Sequence, residues 1–219
     1  MADAALRVLR RDPALRVLRR DPVLRAVIKA VGPCLLEVTA REPYEALIRA
    51  IAHQQVHGRA AEAILGRFVQ LFPGPHFPQA EQVLAMPVEA LRGCGFSGAK
   101  VIAIRDIAEK TVGGLVPSLE ASKRLDDAAL IERLVALRGV GRWTVEMLLI
   151  FTLGRPDILP VDDFGVREGW RLATKGEAQL KPKELEAIGE AWSPHRSIAA
   201  WYLWRASDAG KKLKSVAAA

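Results

Sequence analysis

The chain reads as an all-α protein on three observations. Its apolar residues recur at helical spacing, the punctuation between segments is that of helix ends, and no stretch sustains the two-residue alternation of a half-buried strand. The pattern predicts helices over residues 22–31, 43–56, 59–72, 88–91, 98–112, 127–137, 142–153, 164–174, 182–191 and 194–213. Val38–Thr39 is too short for a strand, and Pro73-Gly74-Pro75 and Gly154-Arg155-Pro156 mark loops.

Ahead of the first of these helices, LRVLRRDP at residues 6–13 recurs at 15–22, with a degraded third copy from Leu24, giving a period of nine. One faithful repeat is too little for a solenoid. Each Asp-Pro pair, Asp12-Pro13 and Asp21-Pro22, suits an N-cap followed by proline at the first helical position. Ser97 is placed to cap the helix that opens at Gly98.

The totals narrow the function classes. The 219 residues suffice for one compact unit or two small lobes. A net charge of +7 favours a polyanionic partner, although ordinary basic proteins share it. Two cysteines, Cys34 and Cys94, cannot build a disulfide framework or the four-thiolate site of an iron–sulfur cluster. No run of about 18 apolar residues appears, and the N-terminus alternates Leu and Val with Arg. The expectation is a cytoplasmic protein, neither secreted nor membrane-spanning.

Residues 137–144 read LRGVGRWT. A helix ending in Leu-x-Gly-Val-Gly and restarting at once is a helix-hairpin-helix, whose glycine turn aims backbone N–H groups at a nucleic-acid phosphate. Leu137 and Val140 should plug into the protein, Gly139 and Gly141 should let a phosphate approach, and Arg142 and Thr144 can add contacts. Such a grip reads no base sequence. A plain glycine turn between two packed helices is the alternative. Asp162 and Asp163 follow, the second lying 22 positions beyond Gly141, after Pro160-Val161 and before the helix at Phe164. An aspartate there is either an N-cap or a catalytic group.

Hairpin plus acid, LRGVGRWT then LPVDDFGVR, resembles the helix-hairpin-helix DNA glycosylase superfamily, and the resemblance extends over roughly residues 21–213. It implies two helical lobes with the DNA site in a cleft between them. Residues 1–40 would pack with the C-terminal lobe, 41–156 would form the central lobe with the hairpin, and 157–219 would complete the second lobe, with no room for an extra N-terminal β domain. It also implies that Asp163 is the catalytic acid, with Asp162 a neighbour or cap. Breaking the bond between base and sugar develops positive charge on the deoxyribose, which a fixed carboxylate stabilises while it orients or deprotonates the attacking water.

Relatives that also cut the backbone carry a lysine two residues after the second hairpin glycine, where this chain has Trp143, so the resemblance implies a monofunctional enzyme using water. The tryptophan is similar to the alkylpurine branch, which includes the bacterial 3-methyladenine glycosylase II enzymes. Trp204 matches a second pocket aromatic of that branch, and Met147 stands where some relatives have an aromatic. Packing of a helical core is the other reading of Trp204, and the stronger one for Trp192 and Trp201.

In IAHQQVHGRAA, residues 51–61, His53 and His57 lie four apart, but Gln54 stands where a metalloprotease needs Glu and no third ligand is evident, so no metal site is expected. The segment resembles the family loop that intrudes into the duplex. That makes Gln55 the wedge filling the gap left by a flipped nucleotide, against a solvated helix end. Arg92, Lys100 and Arg105 offer phosphate contacts or a solvated face.

The expected activity is hydrolysis of the N-glycosidic bond of alkylated purines in double-stranded DNA, by a monomer without cofactor, apart from a monovalent cation that hairpin carbonyls hold in some relatives. The rivals are a glycosylase for another lesion, a non-catalytic helix-hairpin-helix module, and a basic helical scaffold that binds protein.

Overall fold

The computed structural model describes residues 12–217, so the first copy of the N-terminal repeat lies outside the described residues apart from Asp12-Pro13. Among the described residues all regular structure is helical. The α-helices are Asp12–Leu18, Pro22–Val31, Pro43–His53, Gly58–Gln70, Ala80–Ala85, Val88–Gly93, Gly98–Val112, Leu119–Arg124, Asp127–Leu134, Arg142–Phe151, Phe164–Thr174, Pro182–Gly189 and Arg196–Ala217, with a 3₁₀ turn at Glu190–Trp192.

The helices whose limits match the sequence reading have the caps it named. Asp21 Oδ1 accepts from the amides of Val23 and Leu24 at 2.8 and 3.1 Å, and Ser97 Oγ accepts from Lys100 N at 3.3 Å. The helix expected over 43–56 stops at His53, because Gln55 takes a left-handed backbone with φ +55°. The short helices Ala80–Ala85 and Leu119–Arg124 are additions to the sequence reading; six residues span less than two turns, too little for a periodic signal.

The chain divides into two compact units. One joins the described residues up to Thr39 with those from Leu149 onward; the other is Ala40–Leu148. In the first, Asp21 Oδ2 accepts from the Trp192 indole N–H at 2.9 Å, and the Tyr202 hydroxyl donates to Gly32 O at 2.9 Å. Trp192 and Trp201 are buried, as the core reading expected. The loop after Phe151 is tied to the last helix: Ser197 Oγ accepts from Ile158 N at 3.0 Å and donates to Arg155 O at 2.6 Å. Asp157 accepts from Nε and Nη2 of Arg196 at 2.8 and 2.9 Å, and from Ser193 Oγ at 2.8 Å. In the second unit, Phe68 sits at the centre of an aromatic cluster with Phe72, Phe77 and Phe96.

Helix Phe164–Thr174 meets helix Arg196–Ala217 through Gly169, where an added Cβ would lie 1.9 Å from Leu203 O. That oxygen is backbone and cannot swing aside. Gly169→Ala is therefore expected to destabilise the fold by about 3 kcal/mol or more, read as a lowered urea midpoint.

Burial by itself would raise the Asp157 carboxyl pKa, but hydrogen bonds from the Arg196 side chain, Ser193 and the Arg196 amide, with the guanidinium charge, hold it below the usual carboxylate range. A carboxyl depressed in the folded state contributes stability that is full above its unfolded value, about pH 3.9, and is lost as pH falls from there through the folded value. Asp157→Asn should lower stability at neutral pH and flatten its dependence below about pH 4, measured by urea unfolding across acid pH.

Candidate functional site

The hairpin belongs to the second unit. Leu137 and Val140 are buried, as plugs should be. Gly139 has φ +75°, and a Cβ there would lie 3.2 Å from Ala103 Cβ and 3.3 Å from Ile51 Cδ1. Glycine at 139 is thus demanded by backbone conformation and by close packing, while open space surrounds the Cβ position of Gly141. Three backbone groups of the turn are satisfied from helix Gly98–Val112 and from Gln54, the residue just after helix Pro43–His53. Lys110 Nζ donates to Ala136 O at 2.8 Å, Arg138 N donates to Asp106 Oδ2 at 2.7 Å, and Gln54 Nε2 donates to Gly139 O at 3.0 Å.

Helix Arg142–Phe151 opens with Thr144 N and Val145 N donating to Gly141 O at 3.0 and 3.3 Å. The amides of Gly141 and Arg142 have no hydrogen-bond acceptor among the described residues, the ordinary condition of a helix entrance and one that suits an anion. Arg142 is exposed and its Nε donates to Glu146 at 2.9 Å. Thr144 is only 4% exposed, so its side chain packs inward and does not offer the DNA contact expected of it. Trp143 is 45% exposed, and Met147 is half-buried.

The loop that follows helix Pro43–His53 carries Gln55, exposed and left-handed. His53 Nε2 pairs with Glu62 at 2.9 Å, and His57 stands at the N-cap position of the next helix without a side-chain capping bond. Lys100 and Arg105, expected on a solvated or phosphate-facing surface, turn to backbone instead: Lys100 Nζ donates to Ala52 O at 2.8 Å and Arg105 to Met86 O at 3.0 Å. Partial burial lowers the Lys100 pKa.

Asp163 belongs to the first unit and is the N-cap of helix Phe164–Thr174. Its Oδ1 accepts from Val166 N at 2.8 Å and from the Trp204 indole N–H at 2.8 Å. Asp162, next to it, is exposed. Trp204 is half-buried and stacked on Phe151, with ring centroids 5.6 Å apart and planes 28° from parallel. It is therefore bonded to the acid as well as packed. At Gly165 an added Cβ would lie 2.9 Å from Trp204 Cδ1 and 3.1 Å from Asp163 Oδ1, so the contact requires glycine there. Phe164, at the first helical position, is 61% exposed. The sequence reading named neither Gly165 nor Phe151, and it gave Gln54 no structural role. Gly165 and Gly169, two poor helix formers four apart in DDFGVREG, were the available signal.

Residues 48–195 match the family described as HhH-GPD superfamily base excision DNA repair protein. The DNA-3-methyladenine glycosylase 1 of Schizosaccharomyces pombe is 44% identical over 176 residues, 80% of this chain and 77% of that protein. A solved structure of the S. pombe 3-methyladenine DNA glycosylase in complex with abasic DNA superposes with a TM-score of 0.80 at 41% identity, covering 88% of this chain and 95% of that one. The DNA-3-methyladenine glycosidase of Bacillus halodurans gives 0.82 at 33% identity, covering 92% of both chains. With the hairpin, the capping acid and this likeness over most of its length, the chain belongs to the HhH-GPD superfamily of base excision DNA repair proteins.

Proposed function

We propose that the protein is a monofunctional DNA glycosylase that hydrolyses the N-glycosidic bond of alkylated purines, of the 3-methyladenine and 7-methylguanine type, in double-stranded DNA. The observation that carries the reading is Asp163, a carboxylate fixed at a helix entrance by two donors. The relatives support its substrate: that with 44% identity is named a DNA-3-methyladenine glycosylase, and the S. pombe structure holds abasic DNA.

In this reading the Asp163 carboxylate stabilises the positive charge that develops on the deoxyribose and orients the water that attacks it. The leaving base is already cationic and departs neutral, so no general acid is required. Trp143 stands where a Schiff-base lysine would be needed, which leaves water as the nucleophile. Trp143, Trp204 and Met147 are the residues this reading assigns to the extruded base, and each indole face attracts a cationic base by about 0.5–2 kcal/mol more than a neutral one. Trp204 has a second task, holding the carboxylate through its N–H. Gly141 and Arg142 supply the phosphate grip, with Gly139 and Val140 shaping the turn. Gln55 fills the gap left in the stack by the extruded nucleotide.

A duplex carrying one 3-methyladenine or 7-methylguanine tests the reading. Strand breaks should appear only after alkali and only with the wild-type protein, while Asp163→Asn binds duplex as before but excises nothing. Comparable turnover by that variant would remove Asp163 from the chemistry; tight duplex binding with no excision of any alkylated base would overturn the proposed activity.

Trp204→Phe keeps an aromatic ring and loses the donor to a charged acceptor. Its single-turnover excision rate should fall roughly ten- to hundredfold, and Gly165→Ala, which pushes the indole from Asp163, should act in the same direction. A wild-type rate in both variants would mean that the bond does not serve catalysis.

A further inference from the structure

Gln54 lies between the end of helix Pro43–His53 and the exposed, left-handed Gln55. A long-chain residue in the left-handed region persists only where its neighbours over-determine the backbone. Here the residues just before it are held at two points. Lys100 Nζ holds Ala52 O at 2.8 Å, and the side-chain amide of Gln54 reaches across the sequence to donate to Gly139 O at 3.0 Å. Gly139 is the turn residue of the hairpin, and Ile51, three residues before Gln54, packs against its Cα.

The same helix, Gly98–Val112, supports both elements with one face. Lys100 bonds the last turn of the helix that leads into the loop, Ala103 packs against Gly139, Asp106 accepts from Arg138 N, and Lys110 donates to Ala136 O. Positions 100, 103, 106 and 110 are spaced three and four apart and share a side of the helix. Loop and hairpin are thus both mounted on that side, and Gln54 is the direct bond between them.

We infer that Gln54 is a positioning residue that locks the Gln55 loop to the hairpin, so that wedge and phosphate grip meet the duplex in one fixed register. The inference rests on the roles given above to Gln55 and the hairpin. Its physical basis is that the wedge must enter the stack at a set distance from the phosphates being gripped. Extruding a nucleotide costs a few kcal/mol that only a correctly placed insertion offsets. A neutral amide suits the task, since it donates to the carbonyl; a carboxylate at the same place would set two acceptors against each other.

The test is a double-mutant cycle on Gln54→Glu and Gln55→Ala, each alone and combined. It measures affinity for a duplex holding a tetrahydrofuran abasic analogue, with thermal unfolding recorded for each protein. Gln54→Glu alone should weaken that affinity roughly tenfold, and adding it to Gln55→Ala should weaken it by less than about twofold, because no wedge remains to be positioned. Gln54→Ala, which adds no charge, should repeat the pattern and separates lost positioning from repulsion of the DNA. Wild-type affinity in both Gln54 variants overturns the inference, and so does an equal loss with and without Gln55, which would make Gln54 an independent contact or a purely structural residue. Unchanged affinity in Gln55→Ala alone overturns it together with the wedge role. Excision by the wild-type protein, scored separately after alkali, tells either of these failures from failure of the glycosylase reading itself.

Discussion

The close approach of helix Phe164–Thr174 to the backbone of Leu203 sets the geometry of the acid. Gly165 and Gly169 lie four apart and present no Cβ to the opposing helix, where one at 169 would come within 1.9 Å of Leu203 O. Trp204 is the next residue along that helix, and the approach puts its indole N–H on Asp163. The orientation of the carboxylate therefore follows from packing between two helices and not from the stiffness of the loop before it. That loop is fastened as well, by Ser197 to its backbone and by Arg196 to Asp157. A group that must act on developing charge gains from being fixed before the reaction, since nothing then has to reorganise during it.

The hairpin solves a related problem with charge. A tight turn leaves backbone groups without helical partners, and those facing inward must find others or lose the free energy of a hydrogen bond. Two of the three groups bonded here are met by ionised side chains, Lys110 and Asp106, whose bonds are stronger than neutral ones. Lys110 and Asp106 also pair with each other at 3.1 Å, so the arrangement carries little net charge toward the turn. With these groups satisfied, the donors of Gly141 and Arg142 at the helix entrance are what remains for an anion. Glu146 holds one donor of Arg142 and orients the guanidinium, whose other N–H groups can still serve a phosphate.

The sequence was most legible where a local rule settles the answer. Helices Pro22–Val31, Gly98–Val112 and Phe164–Thr174 have the limits expected of them because Asp21, Ser97 and Asp163 cap them through bonds two or three residues away. Periodicity overran the helix ending at His53, since the apolar pattern continues through Val56 while the backbone at Gln55 does not. For Asp163 the choice between cap and catalyst was a false one: one oxygen meets the helix amide and the indole together, and capping leaves the charge in place. The bond of Gln54 to Gly139 lay beyond the sequence reading because the two residues are 85 positions apart, and no local pattern encodes that pairing. Thr144 was misread for a like reason, as only the folded chain shows which side of the helix entrance is covered.

The capping geometry bears on why residue 163 is an aspartate. Asparagine caps helices about as well as aspartate, and its side-chain oxygen could accept from Val166 N and from the Trp204 indole alike. The interaction of the negative charge with the helix dipole is one that the charged form gains over the amide. Asp162 caps nothing and lies exposed, so the acidic pair is not a shared structural device. In the proposed reaction the charge is the component that the chemistry needs, since a sugar losing its base becomes cationic where a neutral amide would offer only a dipole. The fold fixes where the carboxylate points, and the proposed reaction supplies a use for its charge.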